Sequence, residues 1–151
     1  MIDKVQGRII RGVGGAYWIA ATGETPVAGK PRGLFRHKGV SPLPGDRVDA
    51  VASGDSDFPL EITAIHPRSN QLPRPACANI DRLYLVFSCT NPAPDLYLLD
   101  KLMVLCGLSN IQPTIIWTKE DLVSHELDGL IDQYSGSGIE QLSSSPDNWP
   151  E

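Results

Sequence analysis

Apolar positions change their period about halfway along the chain. Over the first 65 residues they come in short runs broken by glycine and proline, without a sustained helical repeat. Val5–Ile10 precedes a turn at Gly12, Gly14 and Gly15, and Tyr17–Ala20 follows it. Arg32–Phe35, Arg47–Ala52 and Leu60–Ile65 are the other strand candidates. Five short strands with Gly and Pro turns predict a small closed barrel of OB type over residues 1–66. Pro42-Leu43-Pro44-Gly45-Asp46 is a turn by its own chemistry: proline presets φ and glycine takes the left-handed position. Asp46 and Arg47 are expected to fix that turn and the barrel edge, with no chemistry of their own.

Residues 67–80 contain Pro67, Pro73 and Pro75 and predict an extended connector. Beyond it, Leu83–Phe87 is a continuous apolar run, as expected of a strand covered on both faces. Asp95 opens a helix in which Leu96, Leu99, Met103 and Cys106 recur at i, i+3, i+7 and i+10, and Gly107 and Asn110 supply its end. Pro113–Trp117 predicts a second buried strand. A second helix is expected from about residue 124 to 134, capped by Ser124 and apolar at Leu127, Leu130 and Ile131. Strand–helix–strand–helix with short links means a parallel sheet. After Tyr134 the chain is rich in Gly, Ser and Pro, with one short apolar patch at Ile139–Leu142. The fold class is therefore mixed: an all-β OB-type barrel, then a partial α/β region over residues 81–151.

With 41% hydrophobic residues in 16.4 kDa, the chain can build a core. Its longest apolar-leaning stretch, residues 96–108, is interrupted by Asp100 and Lys101, so no membrane partner is expected. The first residues lack the apolar core of a signal peptide, which makes the expected location cytoplasmic. Cys77, Cys89 and Cys106 are widely spaced among apolar residues and read as reduced packing groups rather than a zinc site or disulfide framework. The net charge of −5 divides unevenly. Residues 1–75 carry ten Lys/Arg against seven acids, a balance of +3, whereas residues 76–151 carry three against eleven, a balance of −8. An anionic partner for the first half follows.

The chemistry-bearing motif lies just after the second buried strand. Thr118-Lys119-Glu120-Asp121-Leu122 has the Thr/Asn-Lys-x-Asp-Leu form with which GTPases read guanine. A carboxylate at Asp121 can accept both the N1–H and the exocyclic amine of that base, and the lysine stem can pack along base or ribose. The bland reading is an exposed acid at a helix start beside a solvated lysine. No Gly-x-x-x-x-Gly-Lys-Ser/Thr segment occurs in these 151 residues, so no catalytic residue is assigned. In the barrel, Lys30, Arg32, Arg36, His37 and Lys38, with Arg8 and Arg68, form either a solvated face or a set of RNA-phosphate contacts. Tyr17, Trp18 and Phe35 either stack on bases or pack the core.

In order and spacing, several stretches together resemble one family. They are Gly7-Arg8-Ile9-Ile10, the run from Arg32 to Val40, Pro42 to Val48, Pro67 to Pro75, Ala78-Asn79-Ile80-Asp81 and Leu99-Asp100-Lys101. The whole chain is similar to the N-terminal half of the circularly permuted, small-ribosomal-subunit-dependent GTPases. The resemblance implies an OB barrel followed by a P-loop GTPase-like domain whose base-recognition motif precedes its phosphate loop, switch and Mg²⁺ motifs. A zinc-bearing C-terminal region comes last. Thr118 stands where asparagine is usual, and Ser143-Ser144-Ser145 loosely matches the family's next, Ser-Ala-like, nucleotide-binding stretch. The implied ligand is GTP, bound through Thr118, Lys119 and Asp121, with Mg²⁺ and zinc expected only of a full-length protein. The implied partner is the small ribosomal subunit and its rRNA, and not DNA. A chain stopping at residue 151 would end before every phosphate and metal motif, making an incomplete, inactive GTPase domain. The alternative is a stand-alone, non-enzymatic RNA-binding module with a vestigial GTPase segment.

Overall fold

Close backbone approaches, made possible by glycine, set how the first strands wrap. The computed structural model describes residues 4–21, 23–33, 35, 40–123 and 125–148, in two units, Met1–Ile80 and Asp81–Glu151. In the first, β1 (Lys4–Val13), β2 (Ala16–Ala20), β3 (Val27–Pro31), β4 (Arg47–Ala52) and β5 (Leu60–Ile65) close a barrel in the order β1-β2-β3-β5-β4. β3 and β5 run parallel, and the other neighbours are antiparallel. A bulge between Ile9 and Arg11 bends β1, which pairs with β4 over its first half and with β2 over its second. At Gly29 a Cβ would sit 2.9 Å from the Leu60 carbonyl oxygen, so β3 can lie against β5 only with glycine there. Ile9, Ile19, Val48, Ala50 and Ile62 fill the barrel, with Tyr17, Phe35, Leu60 and Ile65 packed around them. Core packing is thus where Tyr17 and Phe35 go, while Trp18 lies under the Arg11 guanidinium at 4.8 Å.

The third strand is Val27–Pro31 and not Arg32–Phe35 as the pattern predicts. Gly29 and Pro31 hide it from an apolar-alternation reading. Phe35, whose N–H donates to the Arg32 carbonyl at 3.0 Å, joins the core from a turn.

Residues 71–78 also depart from expectation. Instead of an extended connector they form a hairpin of β6 (Gln71–Pro73) and β7 (Ala76–Ala78) that belongs to the barrel unit. Its anchor is the Pro44-Gly45 turn. The Ala78 N–H donates to the Pro44 carbonyl at 2.9 Å, and the Asn79 amide donates to the Gly45 carbonyl at 3.0 Å. Gly45 has φ +93, and a Cβ there would meet the Ala78 oxygen at 1.9 Å, so no other residue fits.

The second unit is a parallel sheet in the order β10-β9-β8, built from β8 (Arg82–Ser88), β9 (Gln112–Thr118) and β10 (Glu140–Ser144). Helices α1 (Leu96–Leu108) and α2 (Glu126–Ser135) follow β8 and β9. The Asp95 carboxylate caps α1 by accepting the Leu98 N–H at 3.0 Å. Ser124, expected to cap α2, lies outside the described residues. Leu85, Cys89, Leu99, Ile115, Trp117 and Tyr134 make the core, against which Leu127, Leu130 and Ile131 of α2 pack. β8 is covered on one face only among the described residues: Leu85 is buried, whereas Tyr84 and Val86 are each 54% exposed. β10 extends the Ile139–Leu142 patch into a strand because its polar residues are bonded inward. The Trp117 indole donates to Gln141 Oε1 at 2.9 Å, and the Gln141 amide donates to the Ile131 carbonyl at 3.0 Å. Among the described residues no helix is long and apolar enough to cross a membrane.

Candidate base-reading site and basic barrel surface

The three parallel strands end level with one another. Ser88, Thr118 and Ser144 are register partners at the carboxyl ends of β8, β9 and β10, the edge at which open α/β sheets bind ligands. Thr118 is held there by its hydroxyl, which donates to the Phe87 carbonyl at 3.3 Å. Cys89 clamps the same end, its N–H donating to the Thr118 carbonyl at 2.9 Å.

Lys119 turns the chain off the sheet in a left-handed conformation, φ 62 and ψ 36, uncommon for a residue with a side chain. Its ammonium donates to the backbone carbonyls of Thr90, at 3.5 Å, and Asn91. The lysine stem is thereby laid across the loop after β8. Neither carbonyl was foreseeable from sequence, since backbone acceptors leave no side-chain signature. Asp121 follows in a short 3₁₀ turn, Glu120–Leu122, exposed and with no hydrogen-bond partner among the described residues. Glu120 instead accepts the Asn148 amide at 3.3 Å. An exposed carboxylate beside a fixed lysine stem fits the hydrogen-bond donors and the flat face of guanine. Ser143 and Ser144 at the end of β10 border this edge. Among the described residues no three His, Cys, Asp or Glu side chains come together as metal ligands. Cys89 and Cys106 are buried free thiols whose ionisation is pushed up by burial, in keeping with packing roles.

The structure separates the basic residues of the barrel. Lys30 lies over the Phe58 ring at 3.6 Å, and Arg32 pairs with Glu61 at 3.4 Å, both exposed at the β3–β5 side. Arg8 sits elsewhere, on β1, beside a groove of about 640 Å³ that neither Lys30 nor Arg32 lines. Arg36, His37 and Lys38 lie outside the described residues. Arg68 is committed inward: Nε and Nη2 each donate to the buried Asp46 carboxylate at 2.8 Å, Nη2 also donates to the Ser41 carbonyl, and Nη1 donates to Gln71 Oε1. It braces the Pro44-Gly45 turn and has no place among RNA-facing groups.

Barrel and sheet together define the class: an OB-type barrel followed by a GTPase-like parallel sheet. The comparisons agree. Residues 65–149 match the model of the RsgA GTPase family, and residues 6–57 match that of the RsgA N-terminal domain. The chain belongs to the RsgA GTPase family. It is 36% identical over 141 residues to the small ribosomal subunit biogenesis GTPase RsgA of Moorella thermoacetica, covering 93% of this chain and 48% of that protein. The RsgA of Ruminiclostridium cellulolyticum is 37% identical over 141 residues, 92% of this chain and 46% of the relative. Among solved structures, YloQ, a circularly permuted GTPase, superimposes with TM-score 0.80 at 29% identity, over 97% of this chain and 53% of that one. YjeQ from Thermotoga maritima gives 0.79 at 26%, over 94% and 52%. The chain thus spans about half the length of the relatives it matches.

Proposed function

We propose that this chain carries the RNA-binding barrel and the guanine-reading half of a GTPase that acts in small ribosomal subunit biogenesis. One observation carries the reading. The Asp121 carboxylate, with no hydrogen-bond partner among the described residues, and the tethered Lys119 stand at the level carboxyl ends of three parallel strands, in the chain order barrel, then motif. Thr118, Lys119 and Asp121 receive the base of GTP, which when bound supplies the phosphoanhydride whose hydrolysis gives the family its name. Relatives named for small-subunit biogenesis support the subunit as partner. The basic balance of residues 1–75 supports rRNA contact by the barrel, with Lys30, Arg32, Arg36, His37 and Lys38 as one contact region.

Co-sedimentation with purified small subunits over a salt series tests it. With four or five phosphates neutralised, log affinity falls against log salt with a slope of about −3 to −4. Replacing Arg32, Arg36 and Lys38 by alanine flattens that slope, and Arg32→Ala alone, at an exposed pair, leaves Tm unchanged. Equal binding of small and large subunits, or none at low salt, contradicts the proposal.

A further inference from the structure

β1 and β4 set two guanidinium groups against each other. Arg8 and Arg47 are direct cross-strand partners, both exposed. Each is followed by a buried residue, Ile9 or Val48, so both side chains stand on the outer face of the barrel. Like charges directly opposed weaken a strand pair. Among the described residues neither arginine has a carboxylate partner. Arg8 makes one long bond to the Asn79 carbonyl, at 3.3 Å. The acid on the same face, Asp49, is already held by Lys4 at 2.9 Å, Gln6 at 3.0 Å and His66 at 3.1 Å. Among the described residues the repulsion is therefore not offset by a carboxylate.

The groove of about 640 Å³ that both arginines line also includes Gln6, His66 and the small residues Gly7 and Ala20. Its volume suits about one nucleotide. No Phe, Tyr or Trp lines it, and two guanidinium groups face it, so the chemistry it favours is the phosphate. Guanidinium forks match phosphate oxygens two at a time.

We propose that this groove holds a backbone phosphate of an RNA strand between Arg8 and Arg47. The inference rests on the RNA-binding role of the barrel and adds a contact point apart from Lys30 and Arg32. Sequence gave Arg47 no such part, because its pairing with Arg8 appears only once β1 lies on β4.

The test uses the 151-residue chain with Arg8→Gln, Arg47→Gln and the double variant, titrated with a short single-stranded oligoribonucleotide and, separately, with inorganic phosphate. In the parent, the Nε–H resonances of Arg8 and Arg47 shift together as oligoribonucleotide is added. The double variant loses about tenfold in affinity, and its salt slope shrinks by about 0.7, the value of one phosphate on a single strand. Its Tm holds or rises, because opposed charges have been removed. A parent that binds the oligoribonucleotide while the double variant keeps its affinity and slope overturns the proposal. So does a marked fall in Tm, which would make the arginines structural. Shifts with inorganic phosphate but none with oligoribonucleotide mark a free-anion site and overturn the RNA assignment. Should the parent fail on small subunits while oligoribonucleotide still shifts both arginines, the groove stands and the subunit assignment falls.

Discussion

Arg68 and Asp46 meet as a two-point ion pair, Nε on Oδ1 and a terminal nitrogen on Oδ2, each at 2.8 Å, with the carboxylate wholly shielded from solvent. The same carboxylate accepts the Leu43 N–H at 2.7 Å, closing the turn that Ala78 leans on. Removing the guanidinium strands a buried charge. Arg68→Ala should cost about 3 kcal/mol in chemical denaturation, whereas Arg32→Ala, at an exposed pair, should stay within about 0.5 kcal/mol. Equal effects from the two substitutions would show that Arg68 is a surface residue after all.

Asp49 gives the barrel an acid-sensitive tie. Hydrogen bonds from Lys4 and then His66 lower its pKa from the usual carboxylate value to about 2. A folded pKa below the unfolded one stabilises above the unfolded value and is lost as pH falls through the folded value. The contribution is thus complete above about pH 4 and gone near pH 2. Parent and Asp49→Asn should differ most in denaturant midpoint above pH 4 and converge towards pH 2. A difference that does not change with pH would mean the carboxylate is not held ionised by these partners.

Much of this architecture was legible because it rests on local pattern. Leu96, Leu99, Met103 and Cys106 mark the buried side of α1, and Pro113–Trp117 marks β9. Thr118, Lys119 and Asp121 follow that strand directly, so the place of the motif at the end of β9 could be read from the chain alone. What stayed hidden depends on partners distant in sequence. β3 carries Gly29 because Leu60 approaches it, and β10 reads as polar because Gln141 serves Trp117. Arg68 looked like an RNA-facing cation because the burial of Asp46, 22 residues away, has no local signal.

No Gly-x-x-x-x-Gly-Lys-Ser/Thr segment occurs in these 151 residues, which predicts weak nucleotide binding and no turnover for this chain. A charged hydrogen bond to the base contributes about 1.5–3 kcal/mol, and association costs remove much of it. Free GTP should therefore bind no tighter than about millimolar. Phosphate release from purified chain should match the buffer blank. Turnover that Asp121→Ala abolishes would contradict this.

The most direct measurement of base reading is an amide-resonance titration of the chain with guanosine, adenosine and xanthosine monophosphates. Guanosine monophosphate should shift the amides from Thr118 to Leu122 and those of Thr90 and Asn91, while the other two leave them in place. Xanthosine carries an acceptor where guanosine carries its amine, and an amide side chain can donate to it. Asp121→Asn should therefore exchange the preference, answering xanthosine and ignoring guanosine. Equal shifts from all three nucleotides, or shifts confined to the barrel, would contradict the assignment of Asp121 as the residue that reads the base.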